Sequence, residues 1–204
     1  MTKTIAIIGA GPLGRWLARE AARAGFRVVL EDVMPGNLRR AEEELGEKFG
    51  ETSIRPFIDI PGPKTRTWGT HQDESSDEWE SGRITLVSTI EDAVREADLA
   101  IDCVPDELES KLEIFCLLDR MAPPRTVLMT PTTRLSITDL ASCTYRADKC
   151  VAIVAQPAQL ATSSEREVLL RTTSRTAPET TEMVQDFWER MGFTARIERD
   201  PCEA

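Results

Sequence analysis

The stretch that decides the fold is Thr4-Ile-Ala-Ile-Ile-Gly-Ala-Gly-Pro-Leu-Gly14, near the amino terminus. Its first half is a short apolar run, typical of a strand that is buried on both faces. Its second half is G-x-G-x-x-G, and apolar side chains at helical spacing continue over residues 12–24. Strand, glycine turn and helix in this order predict a dinucleotide-binding turn.

Each glycine of this turn has its own physical task. Gly9 permits the sharp change from strand to helix, Gly11 lets a pyrophosphate approach the backbone, and Gly14 lets the helix pack closely on the strand. The phosphates would lie against unpaired N–H groups at the positive end of the helix dipole. Pro12 and Leu13, inside the same motif, complete the predicted phosphate-binding residues.

A second apolar run, residues 27–31, is followed by an acid at the expected distance. It ends in Glu31-Asp32, where a carboxylate accepts a hydrogen bond from a ribose hydroxyl of the cofactor. Because a carboxylate repels a 2′-phosphate, the pair favours NAD over NADP, although Arg39 and Arg40 keep NADP open as an alternative. The competing interpretation is a structural glycine turn followed by an exposed acidic pair. The order of all five features favours the cofactor site.

Apolar runs and helical patterns alternate along the rest of the chain. This alternation predicts an α/β fold, a Rossmann-type doubly wound, mostly parallel sheet with helices on both faces. We predict that residues 1–204 form a single NAD-binding domain. Residues 51–82 interrupt the pattern with prolines, an acidic polar run and two tryptophans, Trp68 and Trp79. An excursion of this length is usually functional or disordered.

The composition excludes several classes of function. The formal net charge of −10 over 204 residues argues against nucleic acid or an anionic membrane as a partner. No apolar run is long enough for a membrane span or a signal peptide, so we expect a cytoplasmic protein. His71 is the only histidine, and the five cysteines are widely spaced without a C-x-x-C, so we predict no metal site and no disulfides.

Beyond the glycine turn, the chain resembles the NAD-binding domain of the 3-hydroxyacyl-CoA dehydrogenases. The segments that carry this resemblance are Val28-Val-Leu-Glu-Asp32, Ala97-Asp-Leu-Ala-Ile-Asp-Cys-Val-Pro-Asp106, Glu109-Ser-Lys-Leu-Glu-Ile-Phe115 and Thr130-Pro-Thr-Thr-Arg-Leu-Ser-Ile137. The last of these is similar to the family's T-N-T-S-S-L-S-I. The resemblance implies a Rossmann fold, NAD as cofactor, and interconversion of 3-hydroxy and 3-keto acyl compounds.

On the cofactor side the resemblance is largely kept. The glycine turn and Asp32 match positions that contact NAD in the family. Val104 and Pro105, which line the nicotinamide side, and Lys111 also match. Asp106 stands where the family usually has Glu.

On the catalytic side the resemblance implies a loss. The family's base is a His in a segment of the type L-H-F-F-N-P, and the matching segment here is Ala152-Ile-Val-Ala-Gln-Pro157. Ile153 stands at the His position, or Val154 if the register slips by one, and neither side chain accepts a proton. The Glu that orients this His matches Glu167, with Glu165 as the alternative.

The substrate-binding positions are altered as well. The family's Asn is Pro131 here, and its substrate-binding Ser is Thr133, which still offers a hydroxyl. We therefore name Thr133 and Glu167 as candidate catalytic residues. Glu167, if buried, could itself act as a weak base.

His71 and the pair of Tyr145 and Lys149 are further candidates for a replacement base. His71 lies in the polar excursion, where an ordinary solvated loop histidine is the simpler interpretation. Tyr145-Arg-Ala-Asp-Lys149 spells the Y-x-x-x-K pair of short-chain dehydrogenases. It lies before a predicted strand instead of on a long helix, so we interpret it as coincidence.

Three functions follow as hypotheses. The first is an oxidoreductase similar to the 3-hydroxyacyl-CoA dehydrogenases, acting on an acyl or keto substrate. The second is a non-catalytic NAD(H)-binding module that acts as a redox sensor or partner subunit. The third is an oxidoreductase with a different small substrate and residues 51–82 as its lid. Because the family's helical C-terminal domain is missing from the sequence, we expect a homodimer or a partner subunit to complete the substrate site.

Overall fold

Among the residues that the structure describes, nine strands form one central sheet. The computed structural model describes residues 2–49, 54–55, 83–155 and 166–203. The strands are β1 (Thr4–Ile8), β2 (Arg27–Glu31), β3 (Ile54–Arg55), β4 (Ile84–Val87), β5 (Leu99–Asp102), β6 (Val127–Pro131), β7 (Cys150–Ile153), β8 (Glu167–Thr172) and β9 (Thr194–Arg199). They lie in the order β3-β4-β2-β1-β5-β6-β7-β8-β9.

All neighbouring strands are parallel except the pair β7 and β8, which is antiparallel. The strand order reverses at β1, because the chain continues from β1 to β2 on one side and reaches β5 on the other. In open α/β sheets, ligands bind outside the carboxyl ends of the strands at such a reversal. The predicted Rossmann-type fold is confirmed, and the reversal marks where its site must lie.

Helices cover both faces of the sheet. They are α1 (Pro12–Arg23), α2 (Pro35–Phe49), α3 (Ile90–Val94), α4 (Leu108–Met121), α5 (Ile137–Ser142) and α6 (Pro178–Arg190). Local chemistry sets several of their ends: the Thr89 hydroxyl caps α3 and the Ser136 hydroxyl caps α5 by accepting backbone N–H bonds. Pro12 at the start of α1 needs no such partner, since proline has no N–H.

The core consists of one apolar cluster on each face. The face that carries α1 and α6 holds an aromatic group in which Trp188 contacts both Phe187 and Phe193, and Phe193 also meets Trp16. The other face packs α3, α4 and α5 around buried residues such as Phe115. Each fully buried large apolar side chain contributes about 1.5–3 kcal/mol. The sheet therefore positions its strand ends rigidly.

Two charged side chains, those of Arg146 and Asp200, each make several hydrogen bonds. The Arg146 guanidinium donates to the Asp119 carboxylate at 2.8 Å and to three carbonyls at the carboxyl end of α4: Asp119, Ala122 and Pro123. Asp200, after β9, accepts hydrogen bonds at the start of α5 from Ser136 and from the backbone and hydroxyl of Thr138. Through these hydrogen bonds, segments that are far apart in the sequence are held against the sheet.

Parts of the sequence prediction lie outside the described residues. Apart from β3, the excursion at 51–82, with His71, Trp68 and Trp79, belongs to this group, and so does Glu165. Within the described ranges, no helix has the length and apolar character needed to cross a bilayer.

Candidate cofactor site

The glycine turn joins β1 to α1 at the carboxyl edge of the sheet. Gly9 has a φ of +105°, a conformation that side chains disfavour. A Cβ on Gly14 would overlap the carbonyl oxygen of Gly9, so only glycine lets α1 approach β1 this closely. The three tasks predicted from the sequence thus have a visible basis at two of the glycines.

Gly11 differs from the other two because, apart from its neighbours in the chain, no described residue crowds it. No heavy atom lies within 4 Å of a Cβ placed there, and its φ of −65° suits any residue. Gly11 is also the N-cap of α1, and no side chain caps this helix end. Free space beside uncapped helix N–H groups is the environment that a pyrophosphate requires. The residues present therefore fit a dinucleotide.

Three polar contacts fix the turn. Gly9 donates its N–H to the Glu31 carbonyl oxygen at 2.8 Å, and Ala10 donates its N–H to the Asp32 carboxylate at 2.9 Å. The Arg15 guanidinium donates to the Ala10 carbonyl oxygen at 2.7 Å and to Glu44 of α2 at 2.7 Å. The turn is therefore held before any ligand arrives.

Asp32 lies where the ribose of a dinucleotide is expected. Besides the Ala10 N–H, its carboxylate accepts the N–H of Met34 at 2.8 Å and the side-chain amide of Asn37 at 3.0 Å. A carboxylate has about four acceptor positions, so capacity remains for one ribose hydroxyl. The sequence analysis missed the contribution of Asn37, although an acid followed by a turn is the available signal.

Glu31 is buried, with 2% of its surface exposed. Its Oε1 has no hydrogen-bond partner within the described part of the chain. Burial, together with a smaller effect of the neighbouring Asp32 carboxylate, raises the pKa of Glu31 to about 7. The two acids of the pair thus differ: Asp32 accepts three hydrogen bonds, whereas Glu31 Oε1 accepts none from the described residues.

The carboxyl end of β5 carries a buried polar cluster. The Lys111 ammonium of α4 lies 3.1 Å from Asp102 and 2.9 Å from the Thr130 hydroxyl, and this hydroxyl donates to Asp102 at 2.9 Å. Asp102 also accepts the Val104 N–H at 2.9 Å. Burial raises the pKa of Asp102, while Lys111 and the hydrogen bonds from Val104 and Thr130 oppose this rise. Asp102 and Thr130 were missed, because their contact depends on β5 and β6 being neighbours.

Lys111 itself has no exposed surface in this structure. Its Nζ lies 3.4 Å from the Val104 carbonyl oxygen. The paired side chains of Asp102 and Lys111 therefore contact both the N–H and the carbonyl of Val104. Val104 is the first residue of the turn that we predicted to line the nicotinamide. The prediction that Lys111 touches NAD stays a prediction, and a direct contact would require this turn to move.

A second turn, after β6, faces the first. The Thr133 N–H donates to the Asp106 carboxylate at 3.3 Å, and the Arg134 guanidinium donates to the Asp106 carbonyl oxygen at 2.8 Å. Thr133 is exposed, so its hydroxyl is accessible to a ligand. Pro105 is exposed next to them, which leaves this side of the edge open.

The position that we predicted to match the family's His lies in the core. Ile153 is fully buried, and in the sheet it pairs with Pro131 of β6 and Leu170 of β8. Val154, the alternative position, is half-buried and donates its N–H to the Leu169 carbonyl oxygen. Neither side chain carries a group that exchanges protons.

Glu167 does not approach Ile153. Its side chain is 49% exposed, and a carboxylate oxygen lies 3.6 Å from the Arg196 guanidinium. Side chains alternate between faces along β8, and Val168 and Leu170 share the core face with Ile153. Glu167 therefore points to the other face. The burial that we required for its action as a weak base is absent.

The Y-x-x-x-K pair has no relation to this edge of the sheet. Tyr145 is fully exposed, and Lys149 lies 2.8 Å from Asp148 immediately before β7. Both residues are at the amino end of β7, opposite the glycine turn. This placement agrees with their interpretation as coincidence.

Metal and disulfide chemistry find no support in the described residues. No group of three or more His, Cys, Asp or Glu side chains there could hold a metal ion. All five cysteines are free thiols.

Comparison with known protein families gives one match over most of the chain. Residues 4–196 match the model of the 3-hydroxyacyl-CoA dehydrogenase NAD binding domain. A probable 3-hydroxybutyryl-CoA dehydrogenase of Bacillus subtilis (strain 168) is 30% identical over 158 residues, which is 73% of this chain and 47% of the relative. The mitochondrial hydroxyacyl-coenzyme A dehydrogenase of Sus scrofa is 28% identical over 152 residues, 73% of this chain and 45% of that protein.

Solved structures give the same picture of the fold. The 3-hydroxybutyryl-CoA dehydrogenase of Escherichia coli K12 superposes with a TM-score of 0.74 at 24% identity, covering 98% of this chain and 39% of that chain. A diketoreductase superposes with a TM-score of 0.72 at 23% identity, covering 97% and 64%. The chain spans about half the length of the curated relatives it matches.

Proposed function

Because the chain belongs to the 3-hydroxyacyl-CoA dehydrogenase NAD-binding domain family, we propose that it is the NAD(H)-binding part of an oxidoreductase of that kind. One observation carries this proposal: the open cradle at Gly11, next to the uncapped start of α1. A dinucleotide would fit both features, since Asp32, the predicted ribose acceptor, accepts the Ala10 N–H of the same turn.

NAD is the cofactor that the family implies, and the residues of this chain divide its binding. Gly9, Gly11 and Gly14 with Pro12 and Leu13 would surround the pyrophosphate, and Asp32 would accept from the adenosine ribose. Val104, Pro105 and Asp106 would face the nicotinamide, with Lys111 holding Val104 in place. When bound, the nicotinamide accepts or donates a hydride.

The reaction we propose is interconversion of a 3-hydroxy and a 3-keto acyl compound. Thr133, exposed at the edge of the site, would offer its hydroxyl to the substrate oxygen. The proton must come from elsewhere, since Ile153 is apolar and Glu167 points away. Within the described residues this leaves the proton-transfer group unassigned, so a residue from 51–82 or from a second chain would have to supply it.

A second function is favoured by the burial of Ile153. Ile153 packs between β6 and β8 in the core, so a small movement would not bring a proton-carrying side chain to this position. The chain would then be a non-catalytic NAD(H)-binding module, either a redox-state sensor or a partner subunit. In this case NADH binds and nothing is reduced.

One experiment separates the two functions. Purified protein is titrated with NADH, followed by fluorescence, and then mixed with short and long 3-ketoacyl-CoA esters while NADH consumption is recorded. Consumption that Thr133→Ala reduces supports the oxidoreductase. Binding without consumption supports the module, and absence of NADH binding refutes both.

The association and location of the protein belong to the same proposal. A second copy or a partner subunit would complete the substrate side, which light scattering of the purified protein and its NADH complex can test. We also propose a cytoplasmic location, supported by five thiols that remain free.

A further inference from the structure

The carboxyl of Glu31, which we predicted together with Asp32 for the ribose, is buried at the end of β2. Glu31 is 2% exposed, and Oε1 has no hydrogen-bond partner among the described residues. Its own backbone carbonyl receives the N–H of Gly9, so the residue is attached directly to the glycine turn. A buried carboxyl oxygen without a hydrogen-bond partner is costly, and such groups in a ligand-binding region are candidates for function.

The strands on either side give Glu31 no polar partner. In the sheet register it pairs with Ile8 of β1 and Val87 of β4. One strand further, Ile8 pairs with Asp102 of β5, whose charge is matched by Lys111 at 3.1 Å. The nearest strand neighbours of Glu31 are therefore apolar.

The helices α1 and α3 pack on β2, and their arginines are paired with acids other than Glu31. On α3, Glu91 and Asp92 are exposed, and Asp92 is paired with Arg95 at 2.7 Å. On α1, Arg15 is paired with Glu44 at 2.7 Å. Within the described elements, the charged group that acts on Glu31 is thus the Asp32 carboxylate, which repels its ionised form.

We propose that Glu31 couples cofactor binding to a proton, because the dinucleotide binds the form of the chain in which the Glu31 carboxyl is neutral. The proposal rests on the proposed function, in which the pyrophosphate lies on the glycine turn. The pyrophosphate brings two negative charges to the turn that is bonded to Glu31. Like charges disfavour an ionised carboxyl. Where Glu31 is ionised in the free protein, binding therefore transfers up to one proton from solvent to its carboxylate, and release of the dinucleotide returns it.

The exchange falls in a useful pH range. Burial raises the pKa of Glu31 to about 7 in the free protein, with Asp32 contributing in the same direction. Below this pKa the carboxyl is already neutral and affinity is constant. Above it, affinity falls with rising pH, at most about tenfold per pH unit for a single coupled proton.

The test is an NADH titration at pH 6, 7 and 8. We expect the Kd of the wild-type chain to rise several-fold between pH 6 and 8. The Kd of Glu31→Gln, which is neutral at every pH, should stay level. Glu91→Gln removes an exposed acid on the neighbouring helix and should keep the wild-type slope.

Calorimetry of the unaltered protein gives a second, independent readout. At pH 7, the enthalpy of NADH binding is measured in two buffers with different heats of ionisation. A difference between the buffers reports proton uptake by the complex, and we expect it in wild type. This measurement does not depend on any variant folding.

The outcomes distinguish failure of the proton coupling from failure of the proposed function. NADH binding that is level from pH 6 to 8 and independent of the buffer overturns the proton coupling alone. The same slope in Glu31→Gln as in wild type assigns the proton to another group and also overturns it. Failure to bind NADH at any pH overturns the proposed function itself.

Discussion

The glycines of the turn should respond in opposite ways to the same substitution. A Cβ at Gly14 would overlap the Gly9 carbonyl oxygen and lie 3.4 Å from Ile7 Cγ2, so α1 must move away from β1. Overpacking of this kind costs about 1–3 kcal/mol. A Cβ at Gly11 meets nothing within 4 Å. Because alanine is a poorer N-cap than glycine, Gly11→Ala should still cost about 0.5–1 kcal/mol in the free energy of unfolding.

For NADH affinity we expect the reverse order, with a larger loss in Gly11→Ala than in Gly14→Ala. The methyl group of Gly11→Ala fills the space through which the pyrophosphate approaches the helix N–H groups. We expect NADH affinity to fall by about tenfold or more, equivalent to about 1.4 kcal/mol. Gly14→Ala should lose affinity only as far as the displaced helix disturbs the turn.

Urea unfolding and NADH titration on the same samples test both expectations. Gly46→Ala, inside α2 and also free of neighbours within 4 Å, is the matched control. It should be more stable by up to about 1 kcal/mol, since alanine is the better helix former, and should bind NADH as wild type does. Wild-type NADH affinity in Gly11→Ala would show that the pyrophosphate does not lie at Gly11, and a large loss of stability there would refute the packing argument.

Three further predictions concern buried charges. Lys111→Met leaves the Asp102 carboxylate buried without its cation and should cost about 3–5 kcal/mol in urea unfolding. Arg146→Lys loses the planar fork that reaches several carbonyls and should cost about 1–3 kcal/mol by the same assay. Burial would raise the pKa of Asp200, but hydrogen bonds from Ser136, Thr138 and Cys202 lower it below its ordinary value. Asp200→Asn should therefore cost about 1.5–3 kcal/mol at pH 7, and the difference from wild type should shrink as the pH falls below about 4; a constant difference in unfolding scans would contradict this.

The cofactor half of the site was predictable because its signals are local. A buried strand, a glycine turn and a helix start follow one another within residues 4–14, and Asp32 comes one strand later. Turn residues and apolar periodicity can be recognised from residues that are neighbours in the sequence. The structure keeps all of them at one edge of the sheet.

The contacts that the sequence did not predict join residues far apart in the chain. Asp102 meets Thr130 because β5 and β6 are adjacent, and this follows from the strand order and not from either segment. Glu167 was predicted beside the family's His position, yet β8 runs antiparallel to β7 and turns this side chain to the other face. A sequence pattern with period two gives alternation, but the face on which it starts depends on the register.

The two halves of the site therefore differ in what holds them. The dinucleotide half depends on backbone groups, the N–H groups of a turn and a helix start, which tolerate changes of side chain as long as the glycines remain. The proton-transfer half would depend on one side chain, and Ile153, the residue that we predicted to stand at that position, is apolar and fully buried. Under the non-catalytic proposal, the chain keeps the fold and cofactor site of the family without a base. NADH binding measured together with NADH consumption tests this separation directly.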